Sequence, residues 1–153
     1  MNAAIQLAKL SGFSPIVVTA SPQHTDYLLS LGATHVMDRN LDTPSLLDAI
    51  RQVLPDGSTH FVYDTVSSPD TQKLGFELLA AGGRMVFTVP NAGAQSKDGK
   101  EVVLVKGNPF LLANKELATT LYKHLGQLLE DGSIKVRLNS RFKPVHLSLS
   151  FHT

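Results

Sequence analysis

The chain has 153 residues, 42% hydrophobic and 18% charged, with 14 Lys+Arg against 13 Asp+Glu, six His and no Cys. The length suits one domain built on one core, and the lack of cysteine excludes disulfides, thiolate zinc sites and a cysteine nucleophile. No apolar run approaches the ~20 residues of a membrane helix, and Met1-Asn2-Ala3-Ala4-Ile5 lacks the basic flank and cleavage site of a signal peptide, so a cytoplasmic protein with no membrane partner is expected. Residues 1–76 carry 4 basic and 7 acidic side chains and residues 77–153 carry 10 and 6. Part of the basic excess, Lys135, Arg137, Arg141 and Lys143, lies in a tail whose aromatic rings are Phe142 and Phe151; no nucleic-acid module accompanies it, and no nucleic-acid partner is expected.

In chain order, Ala3 to Leu10 has helical composition and period, and Ser11-Gly12 stops it. Ser14 to Ala20 is a short β-branched run without alternation, the pattern of a strand buried on both faces. Ser21-Pro22 then caps a new helix, with His24 to Leu31 closed by Gly32, and His35 to Asp38 is a second strand. Thr43-Pro44 opens a helix through Leu54, and Pro55-Asp56-Gly57 ends it before the strand His60 to Asp64. Ser68-Pro69 starts a helix to Ala81, and Gly82-Gly83 turns the chain into the strand Arg84 to Val89. A loop over 90–100 leads to the strand Glu101 to Lys106, and Asn114 to Leu129 is an amphipathic helix ended by Asp131-Gly132. Five strands alternating with helices imply right-handed βαβ units in a parallel, doubly wound α/β sheet. The organisation is therefore a dinucleotide-type domain over 1–132 and a tail, 133–153, of weak periodicity.

In such sheets ligands lie beyond the carboxyl ends of the strands. The first strand ends in Thr19-Ala20-Ser21, and no acid follows before Asp26. A carboxylate there would hold a ribose 2′-hydroxyl and repel a 2′-phosphate, so Thr19, Ser21 and His24 are candidate 2′-phosphate donors. The competing reading makes Thr19 a β-former and Ser21 a helix cap. Asp64, Thr65 and Val66 end a later strand and could line the adenosine side of the cleft, unless Asp64 merely caps a turn. Val89 and Pro90 end the next and could meet the nicotinamide through backbone groups. The histidines show no i,i+4 pair, and neither a nucleophile elbow nor a P-loop is present, so no metal site and no catalytic residue is assigned.

The segments Ala4–Lys9, Val17–Pro22, Leu31-Gly32-Ala33, Val62–Val66 and Gly82–Val86, in this order and spacing, resemble the cofactor domain of the medium-chain dehydrogenase/reductase superfamily. Within it they are most similar to the zinc-free, NADPH-dependent trans-enoyl reductases of fungal polyketide pathways and their quinone-reductase-like relatives. The resemblance covers roughly residues 3–132 and implies a Rossmann-like fold. It also implies hydride transfer from NADPH to the β-carbon of a small-molecule or carrier-bound enoyl substrate, with Thr19, Ser21 and His24 at the 2′-phosphate. Strand 101–106 then becomes a homodimer edge. Measured against the family, Met1 falls where the last glycine of the phosphate-binding turn would stand. The expected sheet therefore lacks its central first strand and that turn, which leaves two apolar edges either to close together or to stay open, and NADPH binding weaker than micromolar. Two other readings are a non-catalytic or strand-accepting fragment, and another doubly wound domain such as a methyltransferase.

Overall fold

The computed structural model describes residues 2–89 and 95–136. Helix α1 (Asn2–Leu10) leads into strand β1 (Val17–Ala20); a 3₁₀ turn (Pro22–His24) and helix α2 (Thr25–Ser30) lead into strand β2 (His35–Asp38). Helix α3 (Thr43–Val53) and a second 3₁₀ turn (Pro55–Gly57) precede strand β3 (Thr59–Asp64), and helix α4 (Pro69–Leu78) runs directly into strand β4 (Leu79–Phe87). Strand β5 (Glu101–Leu104), a third 3₁₀ turn (Leu112–Asn114) and helix α5 (Lys115–Glu130) complete the described chain. All three ladders are parallel, as a βαβ alternation requires.

The strands form two sheets. One pairs β1 with β2 in the register Val17↔His35 to Ala20↔Asp38; the other has the order β3-β4-β5. Among the described residues no strand pairs with the outer edge of β1 or the outer edge of β3, the two edges that the sequence predicted would flank a missing strand. They stay open rather than closing on each other. The halves are joined instead through their helices. Leu46, Leu47 and Ile50 of α3 and Leu74 and Leu78 of α4 form one core cluster, and Val17 of β1 and Met37 of β2 pack against it. On the opposite face Ile5 of α1 and Leu28 of α2 enclose Val18 and Ala20 of β1, with Val36 of β2 beside them. Strand β1 therefore buries Val18 and Ala20 against α1 and α2 and holds Val17 half-buried against α3 and α4, while Thr19 on that second side is exposed, so the strand expected to be buried on both faces is covered fully on one and only in part on the other. The rings of Phe13 and Phe61, 5.7 Å between centroids, make a further contact across the halves.

The expected helix 69–81 is three residues too long. Leu79 already has extended backbone (φ −66°, ψ 132°) and pairs with Thr59. The register then jumps, with Phe61 facing Arg84, so Ala80 to Gly83 form a bulge inside β4. Gly82 sits there at φ +76°, and a Cβ on Gly83 would come within 2.9 Å of the Ala80 carbonyl oxygen, so the glycine pair shapes a strand bulge and not a turn before a strand. The expected strand 84–89 accordingly becomes 79–87, and 101–106 shortens to 101–104. The opening of α3 also differs by one residue: Asp42 caps it, accepting from the Ser45 amide at 2.9 Å, and Thr43-Pro44 fill the first turn. Residues 133–135 return to α1. Ile134 is buried, and the Gln6 side chain both accepts from the Lys135 amide (2.6 Å) and donates to its carbonyl (3.2 Å).

Candidate functional site

The carboxyl end of β1 carries the first group of candidates. Thr19 is exposed and shares its strand side with Val17, toward α3. Ser21 is half-buried in extended conformation, and its hydroxyl makes no capping bond. The expectation that it merely caps a helix therefore fails: the proline after it starts a 3₁₀ turn whose first backbone bond, His24 N–H to the Ser21 carbonyl (3.0 Å), needs no side chain. His24 is exposed, and its Nε2 accepts from the Gln23 amide at 3.3 Å. The β1–β2 register adds a residue to this corner: Arg39, next after Ala20's partner Asp38, donates its backbone N–H to the Ala20 carbonyl at 3.0 Å.

The second group, after β3, is a braced turn. One oxygen of the buried Asp64 carboxylate accepts from the backbone N–H groups of Val66 (2.8 Å) and Ser67 (2.9 Å), and the other accepts from the Thr71 hydroxyl (2.8 Å). The Gln72 amide donates to the Ser67 carbonyl at 3.0 Å. Ser67 is held at φ +58°, a left-handed conformation that costs a non-glycine residue about 1–2 kcal/mol, and its hydroxyl is buried without a partner among the described residues. Asp64 is thus spent on the turn, and what the turn presents outward is Val66, 65% exposed, with Thr65 half-buried beneath it. Val89 is exposed just beyond β4, and Pro90 lies outside the described residues.

The structure sets the Thr19–Ser21–His24 group and the Thr65–Val66 turn at strand ends on either side of the open edges, with no hydrogen bond joining them. Sequence reasoning missed Arg39, Thr71 and Gln72. Arg39 could have been found, because it directly follows a predicted strand at the carboxyl end of the parallel neighbour of β1. Thr71 and Gln72, seven and eight residues after Asp64, carried no local signal. Two carboxylates have pKa values held below the ordinary 3.8, Asp42 by the Ser45 amide and Asp131 by the Ser133 hydroxyl, and both serve helix ends. Among the described residues no group of three or more metal-binding side chains is close enough to hold an ion, and no helix is long and apolar enough to cross a membrane.

A family model described as zinc-binding dehydrogenase matches residues 2–126. The chain is 32% identical over 147 residues to the trans-enoyl reductase himH of Aspergillus japonicus, a match covering 94% of this chain and 41% of that protein. Among solved structures it is similar to a quinone oxidoreductase of Pseudomonas syringae pv. Tomato DC3000 (TM-score 0.72, 23% identity, 88% of this chain and 43% of that one). It is also similar to the nucleotide-binding subdomain of the enoylreductase domain of PpsC from Mycobacterium tuberculosis (TM-score 0.66, 23% identity, 89% and 79%). The chain spans about two-fifths of the length of the curated relative.

Proposed function

Because the chain belongs to the zinc-binding dehydrogenase family, we propose that it forms the NADPH-binding part of an enoyl-reductase-type oxidoreductase. The observation that carries this reading is the family match over residues 2–126, which spans both strand ends where the candidate groups stand. Despite the family's description, the described residues offer no donor set for zinc, so no step is assigned to a metal.

The adenosine end of the cofactor fits the chain. Thr19 and Ser21 offer hydroxyls unconsumed by caps at the end of β1, and no acid lies between Ala20 and Thr25; a 2′-phosphate would find donors there and a ribose-binding carboxylate would not be in the way. The apolar Val66, held outward by the Asp64 brace, would pack on the adenine face, and the segment at Val89 and Pro90 would approach the nicotinamide. When bound, NADPH supplies a hydride for the β-carbon of an α,β-unsaturated carbonyl, while the α-carbon takes a proton. The substrate would be a small-molecule or carrier-bound enoyl group, the setting the cytoplasm, and β5 would pair with a second copy.

The test is a titration of the chain with NADPH and NADH, followed by ¹H–¹⁵N NMR. With β1 and β3 unpaired on their facing edges, binding should be weak, with a dissociation constant on the order of 100 µM or more. It should favour NADPH, with shifts at Thr19, Ser21 and Val66. Absence of saturable shifts with either nucleotide at about 10 mM would refute the reading, since even a ~4 kcal/mol interaction registers at that concentration.

A further inference from the structure

We propose that Arg39 supplies the positive charge that selects NADPH over NADH, a role which rests on the reductase reading above. The residues before α4 hold three cations, Lys9, Arg39 and Arg51. Lys9 lies at the end of α1, where its side chain covers Gly32, and Arg51, in the last turn of α3, lies against Gly57 before β3 begins. Both therefore sit at the amino edge of the strands. Arg39 alone stands at the carboxyl edge, fixed there by its backbone bond to the Ala20 carbonyl at 3.0 Å.

Its guanidinium is exposed and has no ion pair or hydrogen bond to any described residue. The nearest acid in sequence, Asp38, has one carboxylate oxygen occupied by the Asn40 amide at 2.9 Å and makes no ion pair with it. The histidine at this corner, His24, has its Nε2 turned to the Gln23 amide at 3.3 Å. That leaves Nδ1 as its one ring nitrogen for a ligand, a single contact and not a fork. A phosphate dianion is held best by a charged, forked donor, and Arg39 is the side chain at this edge with that chemistry. Ser21 and Thr19 then add neutral hydrogen bonds.

The experiment compares dissociation constants for NADPH and NADH in wild type, Arg39→Gln, Arg39→Lys and His24→Gln, with a thermal melt of each to confirm folding. Loss of one charge-assisted contact predicts that Arg39→Gln lowers the NADPH preference roughly 10- to 100-fold while leaving NADH within about threefold. Arg39→Lys should restore part of it, since charge returns without the fork, and His24→Gln should lower the ratio less than Arg39→Gln does. An Arg39→Gln protein that binds NADPH as selectively as wild type overturns the assignment while the reductase reading stands. A wild type that binds neither nucleotide overturns that reading, and the assignment with it.

Discussion

Replacing Asp64 separates the two things its carboxylate does. In Asp64→Ala the amides of Val66 and Ser67 and the Thr71 hydroxyl all lose their acceptor. Ser67 is buried, so its N–H is left without water, whereas Val66 and Thr71 are partly solvated and recover part of their bonding. With about 1–3 kcal/mol for each orphaned donor, discounted at the two wetter positions, the loss is about 3–5 kcal/mol. Asp64→Asn should be far milder. Both backbone amides share the same carboxylate oxygen, which the asparagine carbonyl replaces, and the Thr71 hydroxyl has a second acceptor in the Ser68 carbonyl at 3.1 Å. The new amide group then donates to the Thr71 oxygen, and only charge assistance is lost, about 1 kcal/mol. At roughly 2–4 °C per kcal/mol for a chain of this size, alanine should lower Tm by about 10 °C and asparagine by about 3 °C. Urea unfolding and a thermal melt, both followed by circular dichroism, measure the energies and the Tm shifts. Equal losses for the two variants would refute the account, because they would show that the acceptor geometry contributes nothing and that only the charge, which both variants remove, matters.

Gly75 brings α4 against the sheet: a Cβ there would stand 3.0 Å from both Val62 Cγ1 and the Met85 methyl. Gly75→Ala should be close to neutral, the ~1 kcal/mol of helix propensity offsetting a small shift of the adaptable Met85, whereas Gly75→Val should cost about 2–4 kcal/mol by overpacking; a Gly75→Val protein with wild-type Tm would contradict the close approach. Asp42, whose pKa the Ser45 amide holds below 3.8, stabilises the folded state above that value and stops doing so as pH falls through its lowered pKa. An NMR titration of its carboxyl should give a midpoint under 3.8, and Asp42→Asn should flatten the acid limb of the stability profile.

The parts of the fold that could be read from sequence are those fixed within a few residues. The β-branched run at β1, Gly12 and Gly32 after α1 and α2, and the Ser-Pro pair that opens α4 each carry a local reason, and those elements stand within a few residues of expectation. The end of α4 carried none. Leu78-Leu79-Ala80-Ala81 suits a helix, and what stops it is the pairing of Leu79 with Thr59 twenty residues away. The same limit governs the site. Thr19, Ser21 and Val66 were legible as candidates because they end strands, while Arg39 became part of the corner through the β1–β2 register, and one of Asp64's three partners, Thr71, lay on the next helix. The amides of Val66 and Ser67 make Asp64 the cap of its turn, and Thr71 adds a brace that no spacing rule on the strand could supply.

The two-sheet arrangement makes a demand of its own. In a parallel ladder alternate residues of a strand bond to opposite neighbours, so half of the amides in β1 and β3 point toward the open edges and half toward β2 or β4. The latter sit beside the best-protected core, with Met85 fully buried and Phe87 5% exposed. Phe61 and Tyr63, which share one side of β3, remain 43% and 42% exposed, so little apolar cover shields the facing edge. Hydrogen exchange should therefore be bimodal along these two strands: amides bonded to β2 or β4 should open only with the sub-global unfolding of their sheet, while their alternate neighbours exchange through local access to water. Uniform protection along β3 would mean that its outer edge is paired in solution, and the two sheets would then have to be redrawn as one.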